Sequence, residues 1–177
     1  EDTARRTIDL FRQIILPASD HYPASVRTEL HQKLADVYST FGYRMSNNTM
    51  LRKAIRQYRQ ILGELDDSSD PDLRLKCYIG LGDLVAELGL NRASAMQARV
   101  GVRIMRRGLA DHARSASPAG QAAGFINLGT AQANLALVSK DGADYQSAIE
   151  SYDKALAAIR AVDEPMLRAQ AHWGRAI

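Results

Sequence analysis

The sequence repeats itself with a period of 47 residues. Pro71, Pro118 and Pro165 are spaced by that interval, and other columns keep residue size and polarity at the same step. An internal repeat constrains a fold strongly, because equal units stack on their neighbours instead of closing round one central core. The supporting columns are Leu34, Leu81 and Leu128; Ala35, Gly82 and Gly129; His31, Tyr78 and Phe125; Ile8, Ile55, Val102 and Ile149; and Phe11, Tyr58, Met105 and Tyr152.

Each repeat contains two helical patterns. Apolar residues recur three and four positions apart, as at Leu81 and Val85 in a first helix and at Ile55 and Tyr58 in a second. No stretch shows the sustained alternation that is typical of a strand. The sequence therefore predicts an all-α fold, with helices at about 2–16, 24–41, 49–66, 71–88, 94–114, 118–138, 144–162 and 165–177.

Capping residues mark the predicted helix ends. Asp70 and Ser117 each precede a proline, as an N-cap precedes the first helical position. The Ser-Asn-Asn-Thr run at 46–49 supplies a cap for another helix. Gly42 and Gly89, again 47 residues apart, are expected to end helices in the left-handed conformation.

The small residues of the repeat predict close packing between the two helices of a unit. Glycine at 82 and 129 allows two helix axes to approach, while Tyr58 or Tyr152 fills the neighbouring hollow. The unit at 71–114 departs most, because Gly101 and Gly108 stand where the repeat at 118–162 has Ala148 and Ala155, and glycine weakens a helix interior by about 1 kcal/mol.

The composition excludes several classes of protein. The chain is 46% hydrophobic and 24% charged, which is ordinary for a globular protein, and its one cysteine excludes an internal disulfide framework. No apolar run approaches the roughly 20 residues that span a membrane, and no basic-then-apolar leader follows Glu1. The net charge of +3 is too small to indicate nucleic-acid binding by itself. We expect a cytoplasmic protein with no membrane partner.

Several segments resemble the tetratricopeptide pattern. Residues 125–129 (Phe-Ile-Asn-Leu-Gly), 148–156 (Ala-Ile-Glu-Ser-Tyr-Asp-Lys-Ala-Leu) and Pro165 stand where that family has a large residue, Leu-Gly, an Ala-x-x-x-Tyr-x-x-Ala-Leu helix and a proline. The resemblance covers essentially the whole chain, although the usual period is about 34 residues. Residues 42–47 (Gly-Tyr-Arg-Met-Ser-Asn) and 54–58 (Ala-Ile-Arg-Gln-Tyr) are similar to long-period repeats of large bacterial multidomain proteins.

The resemblance implies a right-handed α–α superhelix of antiparallel helix pairs, running as a single array over 1–177. We expect this array to be cut from a longer protein, whose neighbouring domains are then further partners. In this interpretation 2–16 is the second helix of a preceding repeat, complete repeats occupy 23–66, 71–114 and 118–162, and 165–177 is the first helix of a truncated repeat.

The resemblance also implies a non-catalytic scaffold that binds a partner peptide or protein on its concave face, with no cofactor and no metal. An alternative is a regulatory or sensor segment of a larger bacterial caspase-like (CHAT) peptidase or signalling NTPase, because similar arrays often adjoin such domains. Asp36 and Asp83 occupy the column where chaperone-binding members carry asparagine, which disfavours a chaperone-tail receptor. The expected concave residues are Glu29, Gln32, Asp36, Lys76, Ile79, Asp83, Ile126, Asn127, Thr130 and Trp173, although Ile79 and Ile126 could equally pack between repeats.

Arginines on the second helices form another candidate surface. Their spacing of i, i+4 and i+7 places each group of three on one helix face, where a phosphate backbone or an acidic protein could dock. A nucleic-acid-associated scaffold is therefore a second alternative, although a solvated face with arginine stems covering apolar surface is the interpretation we favour. The residues are Arg52, Arg56, Arg59, Arg99, Arg103 and Arg106.

No arrangement of residues predicts enzymatic chemistry. The histidines lack metal-ligand spacing such as H-E-x-x-H. His31 shares a column with aromatic residues, so we expect it to pack in the core, and we expect the same of His172. Cys77 is interpreted as a buried, inert thiol.

Overall fold

The computed structural model describes residues 6, 8–10, 13, 21–66, 69–160 and 162–176. These residues form helices and contain no strand, which confirms the predicted all-α class. The predicted helix at 2–16 lies mostly outside the described residues. From residue 24 onward the described helices are α1 (Ala24–Arg44), α2 (Asn48–Glu64), α3 (Pro71–Leu90), α4 (Ala95–His112), α5 (Pro118–Ser139), α6 (Gly142–Ala158) and α7 (Pro165–Arg175).

The chain divides into two compact units, Glu1–Asp67 and Ser68–Ile177. In the first unit α1 packs against α2. In the second unit each helix from α3 to α7 packs against the next one, and α5 also contacts α3 and α7. The boundary between the units falls between the predicted repeats 23–66 and 71–114.

Side-chain caps begin the helices where the sequence predicts them. The Asp70 carboxylate accepts a hydrogen bond from the backbone N–H of Asp72 (3.0 Å) at the start of α3. The Ser117 hydroxyl accepts one from the backbone N–H of Gly120 (3.0 Å) at the start of α5. Asn47, within the predicted capping run, caps α2.

Two further caps were missed by the sequence analysis. Ser94 accepts a hydrogen bond from the backbone N–H of Gln97 at the start of α4, and Asp141 accepts one from that of Ala143 at the start of α6. Asn47, Ser94 and Asp141 lie 47 residues apart. The N-cap of the second helix therefore recurs with the sequence period.

The prediction that Gly42 and Gly89 end helices was wrong. Both lie inside helices, and the left-handed conformation is adopted instead by Ser46 (φ 47°), Ala93 (φ 51°) and Lys140 (φ 57°). These three residues are again 47 apart.

The two glycines serve close packing instead. A Cβ at Gly42 would overlap the Leu51 side chain, and one at Gly89 would overlap the backbone of Ala98. The glycines are therefore required where the first and second helices of a pair approach each other.

The α3 and α4 backbones also touch at Gly82 and Gly101. A Cβ on Gly101 would overlap the carbonyl oxygen of Gly82 and the backbone nitrogen of Ala86. In the α5–α6 pair the Tyr152 ring fills the corresponding space, with its Cε1 only 2.9 Å from a Cβ built on Gly129, as the sequence predicts.

The core of the second unit consists of two apolar clusters. One joins α3, α4 and α5 through residues such as Ala86, Met105 and Leu135. The other joins α5, α6 and α7 through residues such as Tyr152 and Ala171. Among the described residues, none of the helices combines the length and the apolar character needed to cross a bilayer.

Candidate functional site

A cavity of about 510 Å³ lies between α5, α6 and α7, within the second unit. Four of the predicted concave residues line it together. Asn127, Thr130 and Trp173 are exposed, whereas Ile126 is 8% exposed and forms part of the cavity floor. The structure thus brings together Ile126, Asn127, Thr130 and Trp173.

The sequence of α5 places one face of that helix along the cavity. Ile126, Thr130, Ala133 and Leu137 are spaced by three or four residues, so their side chains lie on the same side of the helix. The Thr130 hydroxyl lies 3.1 Å from the carbonyl oxygen of Ile126, to which it donates.

Tyr152 of α6 fixes the cavity floor. Its ring lies against Gly129 and Gly174, where any side chain would collide with it. Its hydroxyl lies 3.1 Å from Thr130 Oγ1, so the two hydroxyls form a hydrogen bond. Because the phenol is buried and hydrogen-bonded, the floor is preorganised before any ligand binds.

Three large apolar side chains that line the cavity are exposed to solvent. Trp173 is 73% exposed, Leu137 is 66% exposed and Tyr145 is 37% exposed. Contiguous exposed apolar surface of this kind marks interaction sites.

The polar part of the lining is uncharged. Asn127, Asn134 and Gln170 contribute carboxamides, which both donate and accept hydrogen bonds. Among the residues that the structure describes, none that lines the cavity is acidic or basic. The cavity therefore suits an apolar ligand with neutral polar groups at its edge.

Leu137, Tyr145 and Asn134 were missed by the sequence analysis. The sequence does contain a signal for Tyr145. The positions 47 and 94 residues before it are Ala98 and Leu51, and both are buried. A tyrosine at a position otherwise held by apolar, fully buried residues indicates a change in packing at that repeat.

The other predicted concave residues of the second unit lie away from this cavity. Ile79 is 6% exposed and belongs to the α3–α4–α5 cluster, so its side chain contributes to the core. Lys76 is exposed, and Asp83 is half-buried near Glu87. Burial, and then the negative charge of Asp83, raises the pKa of Glu87 above its ordinary value.

Glu29, Gln32 and Asp36 belong to α1 in the first unit. Glu29 forms an exposed ion pair with Lys33 (3.4 Å), and Asp36 accepts a hydrogen bond from the Tyr58 hydroxyl (3.3 Å). Gln32 is half-buried. Their role in partner binding stays a prediction.

Arg99 and Arg106, on α4 of the second unit, have partners within the protein. Arg99 lies 3.4 Å from the Asp144 carboxylate and 3.8 Å from that of Asp141. The side-chain amide of Gln132 is buried, and its oxygen accepts a hydrogen bond from Arg106 (2.8 Å). In the same orientation of this amide, the Gln132 nitrogen donates to the Ser151 hydroxyl (2.6 Å).

The remaining predicted arginines are exposed. Arg103 lies on α4, and Arg52, Arg56 and Arg59 lie on α2 in the first unit. Pairing of Arg99 with two carboxylates lowers its capacity to attract a phosphate backbone. The surface formed by these arginines is therefore a weaker candidate for a binding site than the cavity.

Two histidines and the cysteine that were considered as catalytic candidates lie in different environments. His31 is buried, and its Nδ1 lies 2.7 Å from Gln57 Oε1, which confirms a packing role. His172 is exposed, so the expectation that it packs in the core was wrong: no described helix covers that side of α7. Cys77 is buried as predicted, and no group of His, Cys, Asp or Glu within the described ranges could hold a metal ion.

No protein-family model, curated protein or solved structure matches this chain. Its class therefore rests on the fold and the site alone. The chain is an all-helical protein with an open, uncharged and largely apolar cavity between three helices.

Proposed function

We propose that this chain is a non-catalytic protein-binding scaffold of the tetratricopeptide type. The observation that carries the proposal is the cavity between α5, α6 and α7, which exposes Trp173, Leu137 and Tyr145 on a preorganised floor. Large rigid aromatic side chains of this kind are the usual anchors of protein interfaces.

A superhelical arrangement of the pairs is part of the same proposal. The N-caps and the left-handed residues recur at 47 residues, so the backbone follows the sequence period. In the second unit α5 contacts both helices of the preceding pair as well as its own partner α6. Contacts between neighbouring pairs are what stacked repeats require.

The two alternative functions, a regulatory segment and a nucleic-acid-associated scaffold, have less support than the protein-binding scaffold. A regulatory segment of a peptidase or NTPase concerns domains outside this sequence, and it stays a prediction. The nucleic-acid alternative loses support from the ion pairs of Arg99 with Asp141 and Asp144.

Selection of binders from a displayed random-peptide library tests the proposal. We expect enriched sequences that bind the parent chain and bind the Leu137→Asp variant about tenfold or more weakly, because a charge would then occupy the apolar cavity. Leu137 is 66% exposed, so its replacement leaves the fold intact. Met96→Asp, at a 79% exposed site on α4, is the matched control and should not change binding.

Two results would contradict the scaffold proposal. One is a selection that enriches no binder. The other is a set of binders whose affinity is the same for the parent and for Leu137→Asp.

A further inference from the structure

A second pocket, with a volume of about 510 Å³, lies between α4, α5 and α6 in the second unit. We call it the α4–α6 pocket, and Arg106 of α4, Gln132 of α5 and Lys154 of α6 are among the residues that line it. Among the described residues, none lines both this pocket and the cavity between α5, α6 and α7, so the two lie on different faces of α5. Its volume falls within the range of small-molecule sites.

Part of the surface of the α4–α6 pocket is apolar. Leu109, Phe125 and Leu128 line the pocket, and all three also pack in the core of the second unit. Leu109 and Leu128 are buried, and Phe125 is half-buried. Because close packing in the core holds these side chains in place, they offer the apolar part of a ligand a fixed surface.

Two buried polar side chains lie beside this apolar surface. Gln132 is 2% exposed and Ser151 is 4% exposed. The residues 47 positions earlier are Val85 and Ile104, so a helix pair of this chain forms with aliphatic side chains at both positions. A buried carboxamide destabilises a protein unless its polar groups are hydrogen-bonded. The polar pair is therefore a feature of this repeat that the pairing of the helices does not itself require.

The Gln132 carboxamide holds Arg106 in place. The carbonyl oxygens of Leu128 and Ser147 lie 3.2 and 3.1 Å from the amide nitrogen of Gln132, and a carbonyl oxygen can only accept. The amide nitrogen therefore faces these two carbonyls, and the amide oxygen accepts a hydrogen bond from the Arg106 guanidinium (2.8 Å). Because this acceptor is neutral, it orients the guanidinium without cancelling its charge.

The charges at the α4–α6 pocket favour a ligand with one negative charge. Among the described lining residues Arg106 and Lys154 are basic and Glu150 is acidic, which leaves a net charge of +1. In the part of the chain that the structure describes, neither Arg106 nor Lys154 is ion-paired with a carboxylate. A guanidinium carries its N–H donors in a planar fork that matches the two oxygens of a carboxylate.

We propose that the α4–α6 pocket binds a small organic molecule with one carboxylate and an apolar body. The Arg106 guanidinium binds the carboxylate, Lys154 adds a second positive charge, and the apolar body lies on the apolar surface of the pocket. Gln132 is a positioning residue, because it acts on the ligand through Arg106. Arg106 acts here as a single group inside a pocket and not as part of the arginine surface on the second helices. The site is separate from the protein-binding cavity and does not depend on the proposed function.

An NMR titration of the isotope-labelled chain tests the proposal, with octanoate and 3-phenylpropionate as probes. We expect saturable shifts of the backbone amides around the α4–α6 pocket and of the Arg106 Nε–H. The primary amides of the two acids keep the apolar body and lack the charge, so they should bind about tenfold or more weakly. Phenyl phosphate, which carries a second negative charge, should bind more weakly than 3-phenylpropionate.

Substitutions at charged residues separate the site from a general effect of charge. Arg106→Gln should weaken binding of 3-phenylpropionate about tenfold or more. Arg103→Gln is the matched control, because it removes the same charge from α4 at an exposed residue that does not line the pocket. Glu150→Gln should strengthen binding about twofold or more, because the lining then loses its negative charge.

Gln132→Leu tests the positioning role. In the free parent we expect the Arg106 Nε–H to show a heteronuclear NOE close to that of the helix backbone. In Gln132→Leu this NOE and the affinity for 3-phenylpropionate should both fall. A purely structural role of Gln132 would change the unfolding midpoint and leave the Arg106 NOE as it is in the parent.

Four results would overturn the carboxylate site. They are the absence of a saturable shift with either probe, amides that bind as tightly as the acids, phenyl phosphate that binds more tightly than 3-phenylpropionate, and equal losses from Arg106→Gln and Arg103→Gln. An Arg106 NOE that is already low in the parent would overturn the role of Gln132. None of these results concerns binders that depend on Leu137, so the scaffold proposal is tested separately.

Discussion

At the scale of single residues, glycine determines how closely the helices approach. Helix propensity alone ranks Gly101 as a weak point of α4, which is the prediction from the sequence. The structure shows the opposite contribution, because the α3 backbone occupies the space that a Cβ would need. Sequence reasoning could not decide between these two effects, since the contact depends on the position of another helix.

Replacing Gly101 with alanine tests which effect dominates. Propensity predicts a gain of up to about 1 kcal/mol, whereas overpacking costs about 1–3 kcal/mol. Because the colliding atoms belong to the backbone of α3, we expect a net loss of stability in urea unfolding. Gly63→Ala is the control, since a Cβ there meets nothing within 4 Å. An increase in stability from both substitutions would refute the close contact.

Glu87 predicts a pH dependence of stability. Burial and the nearby Asp83 raise its pKa, so the folded state favours the protonated carboxyl. The contribution of the protonated Glu87 carboxyl to the free energy of unfolding is complete below the pKa of Glu87 in the unfolded state. It is lost as the pH rises through the pKa of Glu87 in the folded state. Glu87→Gln should therefore be more stable than the parent at pH 7, and the difference should vanish below about pH 4.

Unfolding curves at both pH values measure this difference. Glu150→Gln, at an exposed site of the same unit, controls for the loss of one negative charge. A Glu87→Gln variant less stable than the parent at pH 7 would mean that the carboxylate is stabilised in the fold.

At the scale of helices, three start signals were predicted from the sequence, two were missed, and the predicted stop signals were wrong. Asp70-Pro71 and Ser117-Pro118 mark helix starts because a capping oxygen and proline act locally. The left-handed positions that follow α1, α3 and α5 are filled by Ser46, Ala93 and Lys140. No intrinsic preference identifies alanine or lysine as left-handed, and Ser46, Ala93 and Lys140 share no residue type, so the sequence carries no signal for these positions.

The cap of α2 can be tested directly. The Asn47 side chain accepts hydrogen bonds from the backbone N–H groups of Thr49 (3.0 Å) and Met50 (3.2 Å). Asn47→Ala should lower the free energy of unfolding by about 1 kcal/mol. Thr49→Ala, at an exposed neighbouring site, should change it by less than about 0.5 kcal/mol. Equal effects of the two substitutions would argue against the cap.

At the scale of the whole molecule, the period was visible in the sequence and the cavity was visible only in part. Ile126, Asn127, Thr130 and Trp173 were foreseen as binding residues and line it together. Leu137 is an ordinary helical leucine in the sequence. Its exposure depends on which helix covers it, and that depends on how the helices of the second unit pack.

The central claim is that helix pairs repeat at a constant 47-residue step and stack to present a binding surface. A crystal structure of the chain tests it most directly, through the rotation and translation that superpose each pair on the next. We predict that the operation taking α3–α4 onto α5–α6 within the second unit also takes the first half of α5 onto α7, with a right-handed sense. Pairs related by unlike operations, or closed into one bundle, would contradict the claim.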